Sequence, residues 1–171
     1  IRHKQRVYTF AVGYAPTQSC LDAEAARTRF FDQGSLMLER LPHSHRTICA
    51  GDFNSHLSAD AWRDQELTGK RGLQTPTSSK GHQLVEIVPE NNLHIVDRHI
   101  PCKLRGTWWN ASNNKWYEND IFLSDGIFTP EAWHRLTTRT IAGCDHRAKA
   151  LEMNMMGRHV QWHKPKKEGE V

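Results

Sequence analysis

The sequence has no run of about 18 or more apolar residues, so it encodes no helix able to span a bilayer. Cysteine is scarce: Cys20, Cys49, Cys102 and Cys144 are the only four, and none forms a C-x-x-C pair. That spacing argues against a structural zinc site and demands no disulfides, so a reducing compartment is the expected setting. There is no internal repeat and no low-complexity linker. The N-terminus, Ile1-Arg2-His3-Lys4-Gln5-Arg6, has neither an initiator Met nor an apolar core. It does not read as a signal peptide, and it looks like a chain that starts inside a domain.

What remains is a polar, globular composition. The 171 residues are 37% hydrophobic, enough for one domain with a sizeable core and too few for two ordinary ones. The formal net charge is +4 with 11 His, and the pI is about 9.0. A basic balance favours polyanionic partners. The signal is unspecific, because the basic residues are scattered except in the tail Lys164-Pro165-Lys166-Lys167.

Periodicity divides the chain into alternating elements. Val7 to Tyr14 is β-branched and aromatic and predicts a strand, stopped by Ala15-Pro16-Thr17. Ser19 to Leu41 predicts a helix with Ala26, Phe30, Met37, Leu38 and Leu41 on its buried face, interrupted by Gly34 and closed by Pro42. Thr47 to Ala50 predicts a short strand buried on both sides, with Cys49 as a buried free thiol. Residues 55 to 80 are rich in Ser, Thr, Asp, Gly and Lys and predict a long loop of the kind that often carries function. Lys80 to Asn91 predicts a helix whose face holds Leu84, Ile87, Val88 and Asn91, with Pro89 awkward near its end. Strands are then expected at Leu93 to Val96, Gly106 to Trp109, Trp116 to Ser124 and Arg139 to Ala142, with a period-two strand around Leu151, Met153 and Met155. Strands outnumber helices and mix with them, which fits an α/β layered sandwich.

Four short motifs carry groups capable of chemistry. Gly51-Asp52-Phe53-Asn54 directly follows an apolar strand. Side chains two apart on a strand point the same way, so a carboxylate able to deprotonate water and an amide able to donate to a phosphoryl oxygen would share one site. A plain strand-to-loop turn accounts for these four residues equally well. Cys144-Asp145-His146 offers a metal ligand and an imidazole, provided the pair sits in a loop; in isolation a surface turn is the better reading. Asp120, in the Trp116 to Ser124 strand, is unusual for a core position and would orient His146 if the two met. The plainer alternative is an exposed strand face shared with Glu118. Tyr14, before Ala15-Pro16, could bond a phosphate or simply pack in the core at a proline turn.

The order of these motifs decides between the alternatives. Strand-Tyr14-Ala15-Pro16, helix, strand-Gly51-Asp52-Phe53-Asn54, helix, Asn91-Asn92-Leu93, Thr107-Trp108, the Asp120 strand and Asp145-His146 before a last strand follow one another along the chain. In this the chain resembles the C-terminal part of the endonuclease/exonuclease/phosphatase family, with its DNase I-like fold. It is most similar to non-LTR retrotransposon endonucleases and craniofacial development protein-like members, and the resemblance runs from Val7 to Met156. It implies a phosphodiester hydrolase that uses Mg2+ or Mn2+, most nearly a DNA endonuclease of retrotransposon ancestry. In that reading Asp52 is the general base on the attacking water, Asn54 contacts the scissile phosphate, and Tyr14 hydrogen-bonds it. His146 stabilises the pentacovalent phosphorus and Asp120 orients His146. Asp145 lies near the metal, with Asn54 and Asp52 as further candidate ligands, and Thr107 and Trp108 support the substrate face.

The chain also departs from the family pattern. Members carry an early Asn and a metal-binding Glu before the Tyr-Ala-Pro strand, yet the thirteen residues before Tyr14 contain no Glu. Cys144 stands where Ser is usual before Asp-His, the Asp120 strand looks one residue short, and Pro89 interrupts a helix. The expectation is a partial domain over residues 1–157, lacking its N-terminal strands and inactive alone, followed by a basic polar tail at 158–171. A non-catalytic nucleic-acid-binding or interaction remnant and a phosphatase of the same fold are the rival readings. The expected partner is nucleic acid, chiefly DNA, and not a membrane; the expected location is intracellular, with the nucleus suggested by the substrate and the tail. Oligomeric state is not legible.

Overall fold

The structure is a computed structural model that describes residues 2–3, 6–17, 22–42, 44–58, 76–125 and 133–153. Its strands are β1 (Arg2–His3), β2 (Arg6–Tyr14), β3 (His45–Asp52), β4 (Leu93–Ile95), β5 (Trp108–Asn110), β6 (Lys115–Tyr117), β7 (Asp120–Asp125), β8 (Trp133–Thr140) and β9 (Arg147–Met153). Two helices, α1 (Ala23–Glu39) and α2 (Ser79–Glu90), and a 3-10 turn at Val96–Arg98 complete the described elements. Five strands form one mixed sheet in the order β1-β2-β3-β7-β4, and β5–β6 and β8–β9 are separate hairpins.

β3 is the spine. It pairs parallel with β2 and antiparallel with β7. A parallel pair needs a crossover, and α1 supplies it. Thr47, Ile48 and Cys49 are all buried, as expected for a strand covered on both faces. Period-two alternation on β7 then assigns the two faces. Ile121 and Leu123 turn toward Phe31, Leu84 and Val88 of the helices, and with Cys49, Leu93 and Ile95 they make the main core. Phe122 turns the other way and packs with Val96, Ile100, Leu136 and Leu151 under the β8–β9 hairpin. Helices on one face and a hairpin on the other make the layered α/β architecture read from the sequence. Burying side chains such as Leu84 and Val88, both 0% exposed, contributes roughly 1.5–3 kcal/mol each.

Several elements differ from their sequence expectations. On α1 the buried residues are Arg27 and Phe31, and Met37 is 45% exposed. Phe30 and Leu38 pack against the core as predicted, and Phe31 joins them where Met37 was expected. Gly34 does not break the helix. Pro89 lies inside α2 without ending it; the helix ends at Asn91, whose backbone N–H and side-chain amide both donate to the Ile87 carbonyl. The expected strand from Trp116 to Ser124 is two strands, broken at Glu118–Asn119. The Arg139 to Ala142 strand is the end of β8, and the chain turns at Gly143 with φ 75°. β9 begins at Arg147, well before the predicted Leu151. The helix start at Ser19, most of the 55–80 loop, Cys20, Met155 and the basic tail lie outside the described residues. No described helix is long and apolar enough to cross a membrane.

β2 and β3 approach closely where Gly13 pairs with Gly51. A Cβ on Gly51 would meet the Gly13 carbonyl oxygen at 1.9 Å, a backbone atom that cannot swing aside. Gly51→Ala should therefore cost about 1–3 kcal/mol, seen as a lower urea midpoint with an unchanged slope. A variant as stable as wild type would contradict this packing.

Candidate active site

The site grows out of the strand register. Tyr14 on β2 is paired with Asp52 on β3, and Asp52 with Asp120 on β7. Residues paired across a ladder project to the same face. Three chemically capable side chains therefore stand in one row at the ends of three neighbouring strands. Tyr14 is 66% exposed and Asp52 only 8%.

The fourth member comes from the turn between β8 and β9. Adjacent side chains need a loop to act together, and Asp145-His146 lies in one, just before Arg147 opens β9. His146 forms an isolated antiparallel bridge with Trp108. Trp109 N–H donates to the Asp145 carbonyl at 2.8 Å, and Arg147 N–H to the Thr107 carbonyl at 2.7 Å. So laced to β5, His146 brings Nδ1 to 3.3 Å from Asp120 Oδ2 and Nε2 to 3.9 Å from Asp52 Oδ2. An open cleft of about 570 Å³ is lined by Tyr14, Asp52, Asp120 and His146, with Val12, Gly13 and Gly51.

Burial pushes the Asp52 carboxyl above its ordinary value, and the facing Asp120 adds to the rise. The Asn54 N–H bond, His146 and Lys80 pull the other way without cancelling it. Asp52, Asp120 and His146 each present one ligand atom, all within 4.8 Å of one another, and could hold a metal ion. The donor chemistry fits a divalent cation. Two facing carboxylates repel, a cation relieves that repulsion, and the open cleft leaves room for the waters that Mg2+ retains. The imidazole nitrogen suits Mn2+ as well.

Other predicted site residues occupy different places. β3 ends at Asp52, so Asn54 does not continue the strand: it turns left-handed at φ 48°. Its N–H donates to Asp52 Oδ1 and its NH2 to the Ala15 carbonyl, each at 2.7 Å. Asn54 thus grips the base candidate and the Tyr14-Ala15 corner, with a second amide hydrogen still to offer. Asp145 stands apart from the group of three, and its carboxylate accepts from the Trp108 indole at 3.1 Å. Thr107 is fully buried. Its hydroxyl accepts from the N–H groups of Asn119 and Asp120, both at 3.1 Å, and so shapes the break that starts β7. Trp108 is half-buried and lies parallel to the His56 ring at 6.5 Å.

Sequence reasoning missed His56 and a buried charge cluster. Burial lowers the His56 pKa, its Nδ1 is 2.9 Å from Asn119 Oδ1, and its ring sits 4.2 Å from that of Tyr117. Glu118 does not share an exposed face with Asp120: it is 4% exposed and meets Arg105 and Lys149. The available signal was charge inside apolar company, in Val96-Asp97-Arg98 and in Ala148-Lys149-Ala150.

No protein-family model matches the sequence, and no curated protein matches it either. Solved structures do share the fold. The 3'-5' exonuclease NExo from Neisseria meningitidis superposes with a TM-score of 0.57 at 12% identity, covering 78% of this chain and 56% of its own. A variant of the 3' phosphatase NExo from Neisseria, bound to a product DNA hairpin, superposes with a TM-score of 0.56 at 13% identity, covering 78% of this chain and 55% of its own. The chain thus spans little more than half the length of these neighbours and has their layered, DNase I-like α/β fold.

Proposed function

We propose that this chain carries the phosphate-attacking part of a Mg2+-dependent phosphodiester hydrolase acting on nucleic acid, most nearly a DNA endonuclease of retrotransposon ancestry. The observation that carries the reading is the convergence of Tyr14, Asp52, Asp120 and His146 on one cleft at the sheet end. The exonuclease and phosphatase fold-neighbours, one of them bound to DNA, support it.

In this mechanism Asp52 takes a proton from water as the water oxygen attacks phosphorus. The bond from phosphorus to the leaving sugar oxygen breaks, and that oxygen takes a proton from solvent. Asn54 fixes Asp52 Oδ1, which leaves Oδ2 on the side of His146. With Nδ1 held toward Asp120, Nε2 of His146 is the nitrogen that faces the phosphoryl oxygen. Tyr14 donates its exposed hydroxyl to a second such oxygen, and Asn54 can offer its remaining amide hydrogen. The carboxylates of Asp52 and Asp120, beside His146, would hold a divalent cation, which would supply charge neutralisation at the phosphate. We propose that residues 1–157 act as part of a larger domain and that the tail at 158–171 adds basic charge. A nuclear destination fits a DNA substrate.

A plasmid-nicking assay with Mg2+ tests this. EDTA-sensitive nicking is expected from a protein extended upstream of Ile1, and none from residues 1–171 alone, because no Glu precedes Tyr14. No nicking by either protein would favour a non-catalytic nucleic-acid-binding remnant. Release of phosphate from a 3'-phosphorylated hairpin without nicking would favour the phosphatase reading, which the neighbour's own activity recommends.

In the upstream-extended protein, Asp52→Asn should lower kcat by about 100-fold or more. In the wild type, activity should fall on the acid side as Asp52 takes up a proton. The stability effect has the opposite sense. A raised folded pKa means that the folded state holds the proton more tightly, so stability present below the ordinary value of 3.8 is lost as pH rises through the folded value. Asn keeps the oxygen that Asn54 bonds and carries no charge. Asp52→Asn should therefore melt at or above the wild-type temperature at pH 7, with the gap closing toward pH 4. A variant that melts lower at pH 7 would refute this account of Asp52.

A further inference from the structure

The β8–β9 hairpin is a sheet of its own, so the fit of His146 to Asp120 depends on what ties the hairpin to β7. The backbone bonds at Trp109 and Arg147 tie it to β5 and the Thr107 segment instead. Apolar contact of Leu136 and Leu151 with Phe122 holds the layers together, but such contact is non-directional and leaves room to slide.

Lys149, three residues beyond His146, supplies a directional link. Its Nζ donates to the Asp120 carbonyl at 2.6 Å. It also lies 3.0 Å from Asp97 Oδ1 and 3.1 Å from Glu118 Oε1. Two of its N–H donors thus reach Glu118 and the Asp120 carbonyl, and Asp97 faces the same ammonium as an ion-pair partner. The side chains of Lys149, Glu118 and Asp97 are 4%, 4% and 0% exposed. The anchors are themselves fixed. Asp97 Oδ2 accepts from the Phe122 N–H on β7, and Arg105 bonds the Asp97 carbonyl at 2.8 Å and reaches Glu118 at 3.5 Å. Burial alone would push Lys149 down, but Asp97 and Glu118 outweigh it and leave its pKa raised. A buried charge cluster is a poor source of net stability, because desolvation offsets the attraction. Its value lies in fixing geometry.

We propose that Lys149 is a positioning residue for the His146–Asp120 pair: it pins the start of β9 to the start of β7 through the Asp120 carbonyl, with Asp97 and Glu118 as its anchors. The inference rests on the proposed role of that pair. Its test does not need activity.

The test reads the His146 Nδ1–H proton resonance of the 171-residue chain by NMR, assigned by its loss in His146→Gln. Lys149→Met combined with Glu118→Gln removes the link without leaving Glu118 charged and unpaired. The resonance should disappear or move upfield in this double variant. Leu136→Ala loosens the same hairpin but keeps the link, so there the resonance should persist despite a lower Tm. An unchanged resonance in the double variant, or equal loss in Leu136→Ala, would overturn the proposal. If the double variant does not fold, Glu118→Gln alone decides, because removing one charged anchor must shift the resonance and an unshifted one overturns the idea. In an upstream-extended protein that nicks DNA, the double variant should lose about 100-fold in kcat with KM little changed. Absence of nicking in the wild type would remove the functional reading and leave the NMR result to judge Lys149.

Discussion

Everything at the site depends on the register in which β3 is held between its two neighbours. Asp52 faces Tyr14 across a parallel ladder and Asp120 across an antiparallel one. A slip of one residue on either side would turn a partner to the helix-covered face and leave the row incomplete. The close approach at Gly51 guards this register on the β2 side, since a Cβ there would meet the Gly13 carbonyl oxygen. On the β7 side, Asp125 accepts from the Thr47 N–H at 2.8 Å and Phe53 N–H donates to the Asn119 carbonyl at 2.9 Å. The fold therefore fixes the carboxylates before any ligand arrives.

The electrostatics work against that arrangement and give it its use. Two carboxylates share a partly buried sheet end, and burial with the facing Asp120 makes the charged form of Asp52 harder to hold than in water. The imidazole between them offsets part of the cost, and a cation would offset more. Below the site, a second set of charges is closed on itself: Lys149 with Asp97 and Glu118, and Arg105 with Glu118. The contrast is informative. The lower cluster is dry and matched in sign, so it holds geometry. The upper one is open and short of positive charge, so it is suited to take a cation and a phosphate.

Much of this was legible in the sequence because it depends on local order. An apolar run ending in Gly51-Asp52 marks a buried strand that delivers a carboxylate to its end, and the motif order from Tyr14 to His146 pointed to a layered α/β fold. Residues whose roles are set by distant partners were not legible. Glu118 reads as exposed because alternation assumes an unbroken strand, and the break there is made by the hydroxyl of Thr107, eleven positions earlier. Asn54 reads as a neighbour of Asp52 on a strand, but its positive φ turns its amide to Ala15. Met37 reads as core by helical spacing, yet it is exposed and Phe31 takes the buried position. Lys149 looks like any exposed strand lysine until Asp97 and Glu118, far off in sequence, close around it.

The central claim is that the Asp52 and Asp120 carboxylates, beside His146, form one divalent-cation site at the sheet end. The most direct test is paramagnetic broadening of amide resonances by sub-stoichiometric Mn2+. The account predicts selective broadening at Asp52, Asp120 and His146, reversed by excess Mg2+ and absent from an Asp52→Asn, Asp120→Asn double variant. Broadening centred elsewhere, or the same broadening in the double variant, would contradict it.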